Sequence, residues 1–510
     1  MKTTVLAVLG LFILQLDRGC SEPRFNQEPN DYMGFEKNFD GLSSTFVGGQ
    51  NPSYEWFHNG SKIDNDMRTN LVIGSTVRFL TRTLARQGIY QLFVSSNMGK
   101  IFGREIRVEF IVVGKFLDKT KKTLNVVLGR PFEIECPSHG FTQNAGYKWG
   151  GTNEITGTWF YNDKANGLVL DDGRLFFSHI TREDVNLIKQ EDGIGCLLEA
   201  AHNEDIKLEQ SGLFELNVTG EETKSFGPHL QKIPDQEVVE GSSVWLKCVA
   251  AGYPTPTYEW KKTDRLGITS KVIAAGGVIL QDFDKELIIK NIMKQRHAGT
   301  YTCYATVDHK DGIKNTTQES ARVIIREKPA WVQGTLITSA TPDMYSQHTW
   351  TCMAKGDPEP EYNWYANATI MNNVSGRHTI EGGILTFHRV TPEDDGMYQC
   401  TAKNKFGFTY QTVSLKVKVK SPEITQPLSR YNFVAGNNGT ISCVSDAIPP
   451  ASHQWMFNRL KLEANKTTKY ELTDKQDLIV HDLNQADTGT YTCVATNAYG
   501  RDTKVGYFKV

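Results

Sequence analysis

From Gly489 to Cys493 the chain alternates by twos: Gly489, Tyr491 and Cys493 fall on one face of an extended strand, and Thr490 and Thr492 on the other. A period of two over so short a run, entered from Asp487-Thr-Gly, predicts a half-buried β-strand. Tyr491, two residues before the cysteine, is placed to bury its ring and return its hydroxyl to upstream backbone, while Cys493 points across a core. The same alternation sets Lys416, Lys418 and Lys420 against Val417 and Val419 and aims three ammonium groups at one face. Lysines so placed suit a guarded sheet edge, with a site for an anionic ligand as the competing reading.

The pattern repeats. Cys136, Trp149 and Cys196 form one set, followed by Cys248, Trp260 and Cys303, then Cys352, Trp364 and Cys400, then Cys443, Trp455 and Cys493. A tryptophan twelve or thirteen residues after the first cysteine of each set is more specific than any cysteine pair alone. It reproduces a strand, a turn and the next strand every time.

Such sets resemble an immunoglobulin-type core, in which a disulfide joins two sheets and an indole packs against it. The resemblance implies an all-β protein with sequential pairing inside each repeat, Cys136 with Cys196, Cys248 with Cys303, Cys352 with Cys400 and Cys443 with Cys493. Closing a loop of some fifty residues this way is worth about 4 kcal/mol. In 510 residues, units of about 100 residues give five tandem C2/I-type sandwiches. Their expected extents are 22–114, 115–220, 227–326, 327–420 and 421–510.

The first unit carries neither cysteine. Aligning Tyr54-Glu-Trp56 with Tyr258-Glu-Trp260 puts Phe46 at the first cysteine position, if the intervening turn is two residues shorter, and Leu92 at the second. Without a crosslink, this unit should be the least stable of the five. In the second unit Ile194 replaces the tyrosine, and an insertion over 186–192 predicts an irregular corner. In the third, His297 occupies the Asp position and reads as a surface substitution. The polar, glycine-bounded stretch Gly220–Gly227 is long enough to reverse direction, so the second and third units can lie side by side.

Composition narrows the partners. A net charge of -2 argues against a duplex nucleic-acid binder. Residues 1–21 read as a signal peptide, with Lys2 ahead of the apolar run Val5–Leu16 and small residues at Gly19-Cys20-Ser21, so an exported chain and an oxidising compartment are expected. No later segment is apolar for a membrane span, and the last residues are too short and charged for a lipid-anchor signal. Seven Asn-x-Ser/Thr acceptors, Asn59, Asn217, Asn315, Asn367, Asn373, Asn438 and Asn465, are candidate glycan sites in an exported protein.

No nucleophile elbow, zinc-protease helix motif or phosphate loop occurs, so no catalytic residue, metal ligand or cofactor site is assigned. Asp394-Asp395 belongs to a turn and reads as a cap. The basic run from Lys115 to Lys122 reads as a solvated domain entry, with attraction of phosphorylated or sulfated glycans as the alternative.

Pro131–Cys136 with Gly173–Ser178, the longer linker at 220–227 and Lys328-Pro-Ala-Trp331 carry a further resemblance, to the hemolin and L1/neuroglian/contactin group. A secreted five-domain member without fibronectin repeats is most similar to the molluscan defence type. The resemblance implies a horseshoe, with unit one against four and two against three. It also implies a secreted recognition protein of innate immunity in haemolymph, binding microbial and blood-cell surfaces, lipopolysaccharide among them. The alternative it implies is a homophilic neural adhesion molecule or its soluble ectodomain.

Overall fold

The computed structural model describes residues 22–510, except 67–69, 82, 154–156, 161–163, 203–204, 224, 427, 429–430 and 464–467, and for 152–153 and 157–160 the backbone alone. The expected leader 1–21 with Cys20, and the acceptor Asn465, lie outside the described residues. The rest is almost entirely β, in five two-sheet sandwiches, each around its own apolar cluster.

The third sandwich shows the plan. One sheet orders Gln236–Val239, Lys314–Trp331, Gly299–Asp308, Thr257–Thr263 and Thr269–Lys271, and the facing sheet orders Val244–Lys247, Glu286–Ile289 and Val278–Gln281. The first strand of the larger sheet pairs in parallel with the last, Gln236 opposite Val323, which protects that edge. Alternate residues turn inward, so Trp260, Tyr301 and Cys303 are buried together.

One register relation recurs throughout. Trp149 lies opposite Cys196, Trp260 opposite Cys303, Trp364 opposite Cys400 and Trp455 opposite Cys493. Trp56 lies opposite Leu92. Each cysteine-bearing sandwich closes its own disulfide, 136–196, 248–303, 352–400 and 443–493. Tyr90, Tyr301, Tyr398 and Tyr491 donate their hydroxyls to the carbonyls of Arg86, His297, Asp394 and Asp487, each four residues back.

Three expectations need correction. The counterpart of the first cysteine in the first sandwich is Ser44, not Phe46. Ser44 N donates to Ser75 O, as Cys352 N does to Gly383 O, and Ser44 is buried whereas Phe46 is half-buried. The twelve-residue spacing to the tryptophan is therefore kept, and no shorter turn is needed.

The corner of the second sandwich is regular. Arg182–Gln190 is an α-helix whose N-cap Thr181 and Asp184 form a reciprocal capping box, and Val185 and Ile188 bury its inner face. Ile194 is wholly buried there. Helix packing takes the place of the missing tyrosine corner.

His297 is 4% exposed, hence no surface residue. Its Nδ1 accepts from Met293 N, and burial lowers its pKa. Asp394, by contrast, does cap: Thr391 N and Oγ1 donate to its carboxylate, and Arg377 pairs with it.

Candidate functional site

The third and fourth sandwiches share one unbroken strand, Lys314–Trp331. Side chains brace the joint: Lys294 pairs with Glu327 and Asp357, Arg326 with Asp357 and Glu237, and Lys405 with Glu237. This rigid pair is the frame on which the first two sandwiches fold back.

Strand Gly396–Asn404 of the fourth sandwich reveals the first seam. A strand with one face in its own core alternates in burial, as Gly489–Asn497 does. Here Met397, Gln399 and Thr401, which point away from Tyr398 and Cys400, are buried as well. What covers Met397 and Gln399 is the first sandwich. Phe102 N donates to Gln399 Oε1 at 2.9 Å, and Gln399 Nε2 donates to Phe102 O at 2.7 Å. The Phe102 ring meets Tyr365 edge-on at 4.8 Å, and Met397 packs into the core cluster of the first sandwich. Tyr410 donates to Glu28 Oε2 at 2.8 Å, and burial with the neighbouring carboxylate pushes its phenol pKa up. Gly99 permits the approach: a Cβ there would stand 2.1 Å from Asn367 Oδ1.

The second seam joins sandwiches two and three. Leu168, Leu170 and Phe176 pack on Val249, and His179 lies against Tyr253 at 4.7 Å. Beside this apolar patch the Lys285 ammonium, 3% exposed, donates to Gly167 O and to Lys164 O (3.3 Å) across the seam and pairs with Asp282 at 3.0 Å. Burial pushes the Lys285 pKa down and the Asp282 pKa up. Lys247 donates to Val169 O at 2.9 Å and pairs with Asp171. A cleft of about 760 Å³ lies alongside, lined by Tyr147, Lys148, Leu170, Lys247 and Phe283 among others.

The structure thus joins sandwich one to four and two to three. The seam residues Gln399 and Lys285 escaped the sequence reading. For Gln399 the available signal was a long amide between Tyr398 and Cys400, where Thr302 and Thr492 stand in two other repeats.

Most lysines of the two basic features pair with carboxylates of the chain itself. Lys416 pairs with Asp395, Lys418 with Asp343, and Lys420 with Asp446 and Glu423. In the run 115–122, Lys119 pairs with Glu209, Lys121 with Asp192 and Glu215, and Lys122 with Asp118. Asn59, Asn217, Asn315, Asn367, Asn373 and Asn438 are exposed. Asn59 and Asn367 also hold tight turns, their Oδ1 atoms accepting from Ile89 N and Met397 N. Cys443, His453 and Cys493 bring donor atoms within 4.8 Å of one another, but both sulfurs are spent in the disulfide, so they form no metal centre. No helix among the described residues is long and apolar enough to cross a membrane.

Residues 228–306, 338–404 and 421–497 match the immunoglobulin domain family. Those three segments are thus immunoglobulin domains, and the other two sandwiches are built on the same tryptophan-centred core. Among curated proteins the chain is similar to mouse contactin-6, 27% identical over 95% of this chain and 46% of that protein, and to human contactin-3, 28% identical over 94% and 45%. The chain spans just under half the length of these relatives. Among solved structures it resembles Sidekick-1 immunoglobulin domains 1–5, with TM-score 0.65 and 19% identity over 96% of this chain and 98% of that one. It also resembles the insect immune protein hemolin, with TM-score 0.59 and 19% identity over 78% of this chain and 100% of that one. These likenesses support a member of cell-adhesion type.

Proposed function

We propose that this protein is an extracellular adhesion molecule whose four-sandwich horseshoe recognises cell-surface partners, a second copy of itself foremost. The observation that carries the reading is the burial of Met397 and Gln399 by the first sandwich. Two domains distant in sequence are held as one rigid surface, which lowers the ordering cost of a multivalent contact. Similarity to contactins along nearly the whole chain supports it, and the published description of hemolin speaks of homophilic adhesion for that protein. No bond-making chemistry enters: recognition is by complementary surface.

The secreted immune reading, with lipopolysaccharide as ligand, has weaker support. Every lysine of the 416–420 face has a carboxylate partner. Export through the leader 1–21 and glycans on exposed acceptors belong to the same proposal.

The test is aggregation of beads coated with the glycosylated protein, alongside binding of soluble protein to bacterial surface polymers at physiological salt. Self-aggregation that weakens when the seams are opened is expected. Saturable polymer binding without self-aggregation would overturn homophilic adhesion in favour of immune recognition.

A further inference from the structure

The third sandwich ends in a turn that the seams do not use. Strand Thr257–Thr263 passes into Thr269–Lys271 through Asp264–Ile268. The Asp264 carboxylate accepts from Leu266 N and Ile268 N, both at 2.9 Å. Its backbone N–H donates to Ile268 O at 3.0 Å, and its carbonyl accepts from Gly267 N at 3.1 Å. Four hydrogen bonds therefore fix a five-residue turn, and what they fix is an aliphatic apex: Leu266 is 84% exposed and Ile268 61%. A turn built only for solubility would carry polar residues there.

Cations stand behind the apex. Arg265 and Arg296 have no carboxylate partner among the described residues, and the Lys262 ammonium donates only to the carbonyl of Arg296. Lys261 and Lys271 share the single carboxylate of Glu259. Burial, with repulsion from Arg296 and Arg265, lowers the Lys262 pKa. The Asp264 carboxylate, which accepts from the turn's backbone, is the acid whose charge bears on Lys262. Exposed aliphatic side chains and cations without a carboxylate partner therefore lie together at this end of the sandwich.

We propose that this end of the third sandwich is an interfacial anchor for an anionic lipid bilayer: Leu266 and Ile268 enter the acyl boundary while Arg265, Arg296 and Lys262 meet headgroup phosphates. Apolar depth with cations at headgroup level is the arrangement that long basic side chains favour at such a boundary. The anchor is independent of homophilic recognition and leaves both seams untouched.

Co-sedimentation of the full chain with phosphatidylcholine vesicles, with and without phosphatidylserine, tests it. Binding to the mixed vesicles alone is expected, falling about fivefold for each of Arg265→Gln and Arg296→Gln and about tenfold for Leu266→Asp. Leu266 is too exposed for its replacement to disturb the fold, and Val505→Asp, on an exposed strand of the fifth sandwich, should bind as the parent does. No binding to mixed vesicles at low salt, or binding unaffected by Leu266→Asp, would overturn the anchor. Loss with the arginine changes alone would reduce it to a surface charge effect and equally refute insertion.

Discussion

Gln399 closes a two-bond ring on the backbone of Phe102, accepting from its N–H and donating to its carbonyl, across 297 positions of sequence. A side-chain amide here does what a neighbouring strand does elsewhere in the sheet. Gln399→Leu keeps the volume and removes both partners, leaving two buried backbone groups unmet at about 1–3 kcal/mol each. Small-angle scattering should then show a more extended particle. An unchanged profile would mean that the apolar contacts of Phe102 and Met397 hold the seam alone.

Lys285→Met tests the second seam. It removes an ammonium serving two carbonyls and leaves Asp282 buried without its cation, a loss of about 3–5 kcal/mol for such pairs. Adding Asp282→Asn should recover most of that loss, because the uncompensated charge goes with it. Denaturant unfolding of both variants measures the difference.

Acid should weaken the same seam. Burial against Tyr253 lowers the pKa of His179 below its ordinary 6.5. The neutral ring is therefore favoured in the folded state, and its contribution is complete above 6.5 and lost as pH falls through the lower folded value. Stability across this window should drop less in His179→Gln, followed by thermal unfolding between pH 7.5 and 4.5.

The first sandwich can be given the disulfide it lacks. Ser44 and Leu92 occupy the register positions of Cys352 and Cys400 and have the same separation of 48 residues. Ser44→Cys with Leu92→Cys should raise the stability of this unit by about 4 kcal/mol. Calorimetry would show the earliest unfolding transition moving up, and reduction should return it. A mixture of free thiols after oxidative refolding would refute the register assignment.

Trp56 Nε1 is buried without a partner among the described residues, whereas Trp149, Trp260, Trp364 and Trp455 each donate to a carbonyl. Trp56→Phe therefore costs less than Trp364→Phe by about one hydrogen bond, roughly 1 kcal/mol. Equal losses in urea unfolding would contradict this.

What the sequence made legible follows from which interactions are local. The tryptophan and cysteine spacings mark strands inside one sandwich, and a register is a short-range property, so the five units could be read directly. Ser44 was hidden because a small polar residue carries no hydrophobic signal, although its twelve-residue distance from Trp56 was there to be counted. The helix 182–190 was obscured because the lost tyrosine and the insertion suggest an irregular corner, even though Thr181 and Asp184 are a capping pair. The seams could be anticipated only through family resemblance and linker length. Gln399 and Lys285 act on residues far off in the chain; the local mark of Gln399 is a long amide where two other repeats carry threonine, and the neighbours of Lys285 do not distinguish it from a surface side chain.

The unbroken strand Lys314–Trp331 has a mechanical meaning. Its two halves are laced to different sandwiches, Gly299–Asp308 on one side and Ala354–Asp357 on the other. Tension drawn along sandwiches three and four must shear ladders of backbone bonds lengthwise, all loaded together. Tension that lifts sandwich one off sandwich four meets the two bonds of Gln399 and their neighbours one after another. The molecule is thus a stiff lever with a releasable clasp, and a pull on its ends would unfasten the horseshoe well before it stretched its backbone.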